Sequence, residues 1–312
     1  MIYPPSPENI TLLSDQILNR QIVALPTETV YGLGGLATSD AAIAEIYAQK
    51  KRPQFNPLII HGSSLDLLKE NVEWNQWVED LAQKFWPGPL IFVLPKKPSS
   101  NLSLLALAGL DTVAVRMPNH PLMKAVLEKV GLLAAPSANP SGTISPTCAQ
   151  DVEDGFQGHI PILDGGKCDI GLESTIIDLS GPQPQLLRPG GVPLEEIERV
   201  LGPVLKGTPI AIKAPGQLES HYAPNHPLYM NMSVKSQDAA YLAFGKSDIP
   251  EGRDVLNLSP SGDLKEAASN LFSMMRALDQ LNVKSIEVAP IPLSGLGFAI
   301  NDRLMRAAAP RT

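Results

Sequence analysis

The amino-acid sequence predicts an α/β protein of two domains, and two observations support this prediction. Over the first two-thirds of the chain, short aliphatic segments alternate with segments of helical periodicity, which is typical of a sheet covered by helices. The pattern then breaks in a stretch with several prolines, and a second alternation follows it. We therefore predict domains at residues 1–206 and 226–312, joined by an interdomain linker at 207–225.

The elements of the first domain follow from hydrophobic patterning and from residues that start or stop helices. Ser39 or Thr38 can cap the first predicted helix, and Pro53 stops it. Strands are predicted at 21–25, 57–61, 90–95, 112–118, 132–136, 175–180 and 185–190. Helices are predicted at 39–51, 74–88, 119–131 and 193–202. This spacing leaves the order of the strands in the sheet open.

The second domain is shorter and begins after an irregular segment. KGTPIAIKAPGQLESHYAPN (206–225) has three prolines and no clear period, which is typical of an ordered linker. PLYMNM, AAYLAFG and SIEVAPI then read as strands, and residues 263–281 carry the regular apolar stripe of a helix. We interpret the methionine pair of this helix as core packing.

Composition and charge exclude several classes of protein. A hydrophobic content of 44% with 18% charged residues is typical of a globular protein. The net charge of −7 argues against a protein that mainly coats nucleic acid. Residues 226–312 contain nine Lys/Arg and nine Asp/Glu, so the acidic excess lies in the first 225 residues. An anion-binding site there needs a local concentration of cationic side chains.

The sequence also predicts a cytoplasmic location and no membrane span. The N-terminal segment MIYPPSPENI has neither a basic region nor an apolar one, so we expect no secretory signal. No run of about 18 apolar residues occurs. The two cysteines, Cys148 and Cys168, lie outside any CxxC or Cys/His cluster, so we predict neither a disulfide framework nor a structural metal site.

Common enzyme motifs are absent from the sequence. There is no GxxxxGK[ST] phosphate loop, no GxSxG and no HExxH. The segment GLGGLA lacks the third glycine of a dinucleotide-binding fingerprint, so we interpret it as a tight turn that needs positive φ at Gly32, Gly34 and Gly35. The same interpretation applies to Gly295 and Gly297.

Four polar segments follow apolar strands, at the position where open α/β sheets bind ligands. They are PTETVYGLG (26–34), QKKRPQFNPLIIH (49–61), TVAVRMP (112–118) and APSANPSGTISPT (135–147). Each also has a purely structural interpretation. Lys50 and Arg52 could complement a helix dipole, and the serines could be turn residues. Arg116, inside an apolar run, needs an anionic partner in the protein or in a ligand.

Taken together, these segments resemble the YrdC-type catalytic domain of threonylcarbamoyl-AMP synthases. The resemblance spans about residues 8–205 and rests on PTETVYGLG, the Lys50-x-Arg52 pair, NPLIIH, WPGPLIFVLP, VAVRMPNHP, the Ser137-x-Asn139 pair, STIID and LLRPG. SHYAP (220–224) and GLGFAINDRLMRAA resemble the long form of the family, which has a C-terminal extension domain. This resemblance implies a twisted, open mixed sheet with helices, followed by a smaller Rossmann-like α/β domain.

The resemblance also implies an activity. Members of the family are nucleotidyltransferases that condense L-threonine, bicarbonate (or CO2) and ATP to threonylcarbamoyl-AMP and pyrophosphate. The adenylate then goes to a separate transferase complex, which forms N6-threonylcarbamoyladenosine in tRNA. We therefore expect ATP, L-threonine and bicarbonate as substrates, Mg2+ accompanying ATP, no organic cofactor, a downstream tRNA threonylcarbamoyl-transferase complex as partner, and at most weak binding of tRNA itself.

By motif matching, the resemblance assigns expected roles to individual residues. The threonine-binding positions are Thr29, His61, Arg116 and Ser174. The nucleotide-binding positions are Arg52, Asn56, Thr112, Ser137, Ser145, Arg188 and Tyr222. The catalytic set at the reacting centre is Lys50, Arg52, Ser137 and Asn139.

These residue types suit phosphoryl transfer, where a protein mainly positions its substrates and stabilises charge. Arginine binds carboxylates and phosphates bidentately, and hydroxyls with loop N–H groups can line a phosphate nest. The sequence shows no carboxylate cluster for Mg2+, which would be held mainly by phosphates and water. The linker could act as a lid that excludes water from the short-lived carbamate.

Three other functions compete with this one. The domain could be a module that binds double-stranded RNA or tRNA without turnover, although the acidic balance speaks against it. It could form a carbamoyl-adenylate from carbamoyl phosphate, as in hydrogenase maturation, but the zinc-finger and acylphosphatase parts of those enzymes are absent from this sequence. A noncatalytic structural protein would not explain so many polar residues at strand ends.

Overall fold

The computed structural model describes residues 1–207, 220–233, 236, 238–246 and 254–310. Most of the predicted linker, residues 208–219, lies outside this part of the chain. The predicted domain boundaries stay predictions. Within the described residues, none of the helices is both long and apolar enough to cross a membrane.

One large mixed sheet organises the N-terminal two-thirds of the chain. Its strands are β1 (Ile2–Tyr3), β2 (Val23–Leu25), β3 (Gly32–Leu36), β4 (Ile59–His61), β5 (Leu90–Pro95), β6 (Thr112–Arg116), β7 (Leu133–Ala134), β8 (Ile162–Leu163), β9 (Thr175–Asp178), β10 (Gln185–Arg188) and β11 (Leu205–Lys206). The spatial order is β1-β8-β2-β3-β7-β4-β6-β5-β9-β10-β11. Parallel and antiparallel pairs both occur, such as β4 with β6 and β5 with β6. The expected mixed α/β fold is confirmed.

Seven helices accompany this sheet in the described residues. They are α1 (Pro7–Leu18), α2 (Asp40–Lys50), α3 (Leu65–Lys69), α4 (Gln76–Phe85), α5 (Pro121–Val130), α6 (Ala149–Phe156) and α7 (Leu194–Leu201). Helix α2 begins as predicted, because the side chain of Ser39 accepts a hydrogen bond from the backbone N–H of Ala42. Helix α1 was not predicted, although Ser6 caps it and Pro7 occupies its first turn.

The prediction of a tight turn at GLGGLA is wrong, because these residues form strand β3. The glycines are needed there for close packing rather than for positive φ. A Cβ at Gly35 would lie 3.2 Å from Ala42 Cβ and from Ile46 Cδ1, so helix α2 packs directly on the strand backbone. At the other end of the chain, Gly295 does have positive φ, as predicted, at 54°. Gly297 does not; it approaches the carbonyl oxygen of Pro292 instead.

The two faces of the central strands pack against different apolar clusters. Along β5, Leu90, Phe92 and Leu94 belong to the large core beneath the sheet. The alternating residues Ile91 and Val93 belong to a smaller apolar cluster on the opposite face. Because side chains along a strand alternate between the two faces of the sheet, every second side chain of β5 lies on that opposite face. This is the face that carries the functional site.

The C-terminal region has its own four-stranded sheet, in which every pair is parallel. Its elements are β12 (Leu228–Tyr229), β13 (Ala239–Ala243), β14 (Val255–Asn257), α8 (Leu264–Asp279), β15 (Ser285–Val288) and α9 (Leu296–Ala308). The strand order is β12-β15-β13-β14. A second α/β unit was predicted, Rossmann-like by the resemblance, and this fold confirms it; β14 and α9 were not predicted.

The two regions share apolar contacts. Val30, Ile144 and Leu172 of the first region belong to the same buried cluster as residues of α8 and α9. Helix α8 also reaches across through Arg276, whose Nε lies 3.0 Å from Asp151 Oδ1. The C-terminal region therefore packs against the loops that surround the cavity described below.

Candidate functional site

A cavity lies over the central strands of the large sheet. The strand register places five residues in one row across the cavity, in the order His61, Arg116, Ile91, Ile176 and Arg188. His61 pairs with Arg116, and Ile91 lies opposite Arg116 on the next strand. Ile91 in turn pairs with Ile176, which pairs with Arg188. These residues come from β4, β6, β5, β9 and β10, which are consecutive neighbours. Because strands lie about 4.8 Å apart, the row spans about 19 Å.

A β-bulge brings Arg188 to this face. Leu186 pairs with Ile177, whereas Arg188, two residues later, pairs with Ile176, so Leu187 is the extra residue of the bulge. In a regular strand, Arg188 lies two residues after Leu186 and would share its face, which belongs to the core beneath the sheet. The bulge thus turns a cationic side chain into the cavity, as bulges beside functional sites often do.

Arg116 is fixed by three contacts at one end of the row. Its Nε donates to the carbonyl oxygen of Gly88 (3.2 Å), and its Nη1 donates to Thr29 Oγ1 (3.1 Å). Its Nη2 lies 2.7 Å from Glu28 Oε1 in a buried ion pair. The angles of that pair are not those of a hydrogen bond, so Nη2 and both carboxylate oxygens have no hydrogen-bond partner in the described part of the chain. The guanidinium can therefore accept a further ligand.

Two buried cations from the end of α2 lie near the other side of the cavity. Arg52 lines it, donating from Nε to the carbonyl oxygen of Asn56 and from Nη2 to that of Pro57. Burial lowers the pKa of Arg52 to about 10. Burial, and then the charge of Arg52, lower the pKa of Lys50 well below its usual value. Both side chains contact carbonyl oxygens, so a nearby anion would stabilise their charged forms.

Lys50 supports the loop that holds the two predicted polar residues of the reacting centre. Its Nζ donates to the carbonyl oxygens of Ser137 (2.6 Å) and Asn139 (2.5 Å). Ser137 lines the cavity and forms a bridge with Gly32 at the start of β3. Asn139 donates from Nδ2 to the carbonyl oxygens of Pro140 and Thr143 (2.9 and 3.0 Å). Lys50 therefore organises this loop from behind.

Glu173 is the one carboxylate among the described residues that line the cavity. Its Oε1 accepts a hydrogen bond from Ser145 Oγ (2.5 Å), and its Oε2 accepts one from Arg303 Nε (2.8 Å). Burial acts to raise the pKa of Glu173, but the charges of Arg303 and Arg188 outweigh it and lower the pKa. The carboxylate is thus held ionised by a side chain from the C-terminal region.

Two histidines in the cavity wall are neutral. Burial lowers the pKa of both His61 and His221 to about 3. The Nδ1 atom of His61 lies 3.1 Å from the carbonyl oxygen of Ile59, and that of His221 has no partner. Neutral imidazoles can each donate and accept one hydrogen bond, so neither adds positive charge to the site at neutral pH.

Several buried polar atoms around the cavity lack hydrogen-bond partners among the residues that the structure describes. They include Ser174 Oγ, Asn56 Oδ1, Asn139 Oδ1, His221 Nδ1 and Tyr222 Oη. Leaving a buried polar atom unpaired costs free energy, so a concentration of such atoms is typical of a site that a polar ligand completes.

The structure brings most of the predicted site residues together. The cavity lining includes all four predicted threonine positions and three of the predicted nucleotide positions: Thr29, His61, Arg116 and Ser174, and Arg52, Ser137 and Arg188. Five others are buried close behind this lining, namely Lys50, Asn56, Asn139, Ser145 and Tyr222. Thr112 is apart from them. It pairs with Pro95 at the opposite end of β6 from Arg116.

Sequence reasoning missed four residues that shape the site: Thr27, Glu28, Glu173 and His221. Glu28 and Glu173 sit in PTETVYG and LESTIID, directly before the predicted Thr29 and Ser174. An acidic residue within an otherwise apolar or hydroxyl-rich run was the available signal. Arg303, the fifth residue missed, is 130 positions from its partner Glu173, and no local pattern indicates that contact.

A mixed sheet with buried arginines, hydroxyls and unpaired polar atoms over one face defines an α/β protein that binds small anionic molecules. Residues 15–190 match the family model of Sua5, YciO and YrdC proteins, described as "Telomere recombination". Residues 192–309 match the model described as "Threonylcarbamoyl-AMP synthase, C-terminal domain". The chain belongs to the Sua5/YciO/YrdC family, so the resemblance seen in the sequence is confirmed.

Relatives and solved structures agree with this assignment. The chain is 40% identical to the threonylcarbamoyl-AMP synthase of Pyrococcus abyssi, over 97% of this chain and 94% of the relative. It is 38% identical to that of Bacillus subtilis, over 93% and 90%. The crystal structure of P. abyssi Sua5 complexed with L-threonine superposes with a TM-score of 0.90 and 37% identity, covering 99% of this chain and 97% of that one. Escherichia coli YciO, at 19% identity and a TM-score of 0.55, shares the fold over 61% of this chain.

Proposed function

We propose that this chain is an L-threonylcarbamoyladenylate synthase, which condenses L-threonine, bicarbonate (or CO2) and ATP to threonylcarbamoyl-AMP and pyrophosphate. The observation that carries the proposal is the arrangement of Arg116 and Arg188 in one row over one cavity. Three strand intervals separate them, which is about 14 Å. This distance is sufficient for an amino acid at one end and a nucleotide phosphate at the other.

The threonine end is assigned to Arg116 with Thr29, His61 and Ser174. Arg116 would bind the amino-acid carboxylate through the N–H groups that its protein contacts leave available. The Oγ of Ser174, buried and without a partner, would bond a polar group of the substrate. The Sua5 of P. abyssi has been crystallised with L-threonine, and its similarity to this chain supports threonine as substrate.

The nucleotide end is assigned to Arg52 and Arg188, with Ser137 between them and the threonine end. Both arginines are buried, and burial lowers the pKa of each. Phosphates would supply the anionic partner that favours the charged guanidinium. Asn56, Ser145 and Tyr222 lie behind this lining and are proposed to shape it; Thr112 remains a prediction without a position in the cavity wall.

The chemistry joins the two ends. Threonine's amine adds to the carbon of CO2, or of bicarbonate with loss of water, and a proton leaves the nitrogen to give a carbamate. A carbamate oxygen then bonds to the α-phosphorus of ATP as the bond to the pyrophosphate oxygen breaks. Arg52 and Arg188 would stabilise negative charge that grows on the phosphates, and Lys50 would keep Ser137 and Asn139 in position.

Mg2+ is proposed to enter with ATP. Within the described residues no group of three His, Cys, Asp or Glu side chains could hold a metal ion. Glu173 is already bonded to Ser145 and Arg303. The ion would therefore be coordinated mainly by phosphate oxygens and water, and would neutralise charge on the triphosphate. We further propose a cytoplasmic location, with delivery of the adenylate to a tRNA threonylcarbamoyl-transferase complex.

Pyrophosphate release tests this function. We expect the chain to release pyrophosphate from ATP only when threonine and bicarbonate are both present, and chelation of Mg2+ should abolish the release. Serine and valine are the matched controls, because each lacks one feature of the threonine side chain. Release that does not depend on threonine, or that is equal with all three amino acids, would contradict the proposal.

A further inference from the structure

Glu173 is an unexpected residue in the wall of a cavity for anions. A carboxylate there repels phosphate groups unless its charge is neutralised. Both of its oxygens are engaged, one by Ser145 and the other by Arg303. Ser145 is a neutral hydroxyl, so the cation bonded to Glu173 is Arg303 on helix α9, outside the sheet that forms the site.

Arg303 is built into the boundary between the two regions. It is fully buried, at 0% exposure. Besides Glu173, its Nη1 bonds Asp302 Oδ2 (2.5 Å), its Nη2 donates to the carbonyl oxygen of Pro189 (2.8 Å), and its guanidinium lies 5.2 Å from the centre of the Tyr222 ring. One side chain thus contacts the two wall segments that contain Glu173 and Pro189.

These two segments carry residues assigned to the substrates. Ser174 follows Glu173, and Arg188 precedes Pro189. Arg188 already donates from Nε and Nη2 to the carbonyl oxygen of Ser174 (3.2 and 2.9 Å), which joins the segments. If Arg303 were absent, Arg188 would be the cation left to neutralise Glu173, and that pairing would oppose phosphate binding.

We propose that Arg303 is a positioning residue of the ATP site, which neutralises Glu173 from the C-terminal region and so keeps Glu173 from pairing with Arg188. The inference rests on the proposed function, because it takes the site to bind ATP phosphates. It gives the C-terminal region a specific task in the site, one charge contributed across the boundary, in addition to its packing.

The charges around Glu173 come from three elements. They are Arg303 and Asp302 on α9, Arg188 at the end of β10, and His221 and Tyr222 in the segment before β12. His221 is neutral, since burial lowers its pKa to about 3. Asp302 is itself paired with Arg303 and Arg306. Removing Arg303 therefore leaves burial to raise the pKa of Glu173, opposed by Arg188.

The test is the affinity for ATP as a function of pH, measured by calorimetry on the full chain. Each affinity is expressed relative to that of the wild type at the same pH, in which Glu173 stays ionised and paired, so that the titration of ATP itself cancels. In Arg303→Met, ATP binding at pH 8 should weaken roughly 10- to 100-fold. The loss should shrink toward pH 6, because protonation removes the uncompensated charge.

Two further variants separate charge from packing. Glu173→Gln, introduced into Arg303→Met, should restore most of the ATP affinity at pH 8 and remove the pH dependence. Arg303→Lys keeps a cation that can reach Glu173, so its pH profile should remain flat. If Arg303 acted only through packing, Glu173→Gln would not restore the affinity and Arg303→Lys would not keep the pH profile flat.

Arg276→Met is the matched control, because it removes another ion pair between the two regions, with Asp151, and the hydrogen bonds to the carbonyl oxygens of Ile144 and Ser145, without removing the cation bonded to Glu173. We expect its ATP affinity to show no dependence on pH. The inference is overturned if Arg303→Met binds ATP like the wild type, if Arg276→Met gives the same pH dependence, or if Glu173→Gln does not rescue. Wild-type chain that binds ATP but releases no pyrophosphate with threonine and bicarbonate would contradict the proposed function alone.

Discussion

Arg116 is a buried cation whose direction is fixed by its protein contacts. The sequence required an anionic partner for it, and the structure supplies Glu28 at 2.7 Å while leaving the alignment of that pair incomplete. The carboxylate offsets the cost of burying the guanidinium. Thr29 and Gly88 fix its direction, so the remaining N–H groups are oriented before any ligand arrives.

Replacing Arg116 tests the threonine end. We expect Arg116→Ala to weaken threonine binding by about 2–5 kcal/mol, because the ligand carboxylate would be buried without its cation. Calorimetric titration with threonine measures this, together with the KM for threonine. Arg199→Ala, which removes an exposed arginine on α7, is the control and should leave both unchanged. A normal KM for threonine in Arg116→Ala would show the assignment to be wrong.

The two neutral histidines make the free energy of unfolding depend on pH. Burial lowers the pKa of His61 and His221 to about 3, whereas an unfolded histidine titrates near 6.5. Between these values the unfolded chain binds protons that the folded chain does not, so stability falls as pH falls. When the pH is lowered from 6.5 to 5, each histidine should reduce the free energy of unfolding by about 2 kcal/mol.

Urea-induced unfolding at these two pH values measures the effect. His61→Gln and His221→Gln should each flatten the dependence of the unfolding free energy on pH, because glutamine does not titrate. His159→Gln removes an exposed histidine and serves as the comparison. Variants as acid-sensitive as the wild type would mean that the buried histidines are not the cause.

At the scale of elements, strand β3 and the bulge in β10 contribute most to the site. Gly35 of β3 lets helix α2 approach the strand, and the end of α2 then places Arg52 in the cavity wall and Lys50 behind it. The bulge at Leu187 turns Arg188 to the cavity face. Both devices use backbone geometry to aim cationic side chains.

Gly35→Val tests the packing of α2 on β3. A Cβ alone would lie 3.2–3.3 Å from Ile22, Ala42 and Ile46, so the two methyl groups of valine have no room. We expect a loss of about 1–3 kcal/mol in stability from overpacking, seen as a lower thermal midpoint. Gly181→Ala, where nothing lies within 4 Å of the new Cβ, should unfold like the wild type. Equal midpoints for both variants would contradict close packing at Gly35.

At the scale of the whole molecule, the C-terminal region is continuous with the site. It shares a buried apolar cluster with Val30, Ile144 and Leu172, and its segment before β12 places His221 in the cavity wall. Apolar burial of this kind joins the two regions. The cavity is therefore complete only in the presence of the chain that follows residue 206.

Truncation after residue 206 tests this dependence and the predicted lid. We expect a lower yield of threonylcarbamoyl-adenylate, because His221, Tyr222 and Arg303 are lost and apolar residues become exposed to water. The measurement is adenylate formation, with circular dichroism to verify that the shortened chain remains folded. Undiminished synthesis by a folded truncated chain would refute both the lid and the contribution of the C-terminal region.

The sequence by itself determined the α/β class, most strands and helices around the site, and most of the polar residues that line the cavity. Hydrophobic periodicity, caps and short motifs are local, and local physics controls them. The prediction of a tight turn at GLGGLA was wrong, because a glycine that allows close packing and one that allows positive φ look alike in a sequence. Only packing partners distinguish them.

The tertiary structure alone decided which charges meet. Glu28 with Arg116, and Glu173 with Arg303, join residues 88 and 130 positions apart, and the face of Arg188 depends on one extra residue in a strand. The energies of such pairs depend on burial and distance, which arise only when the chain has folded.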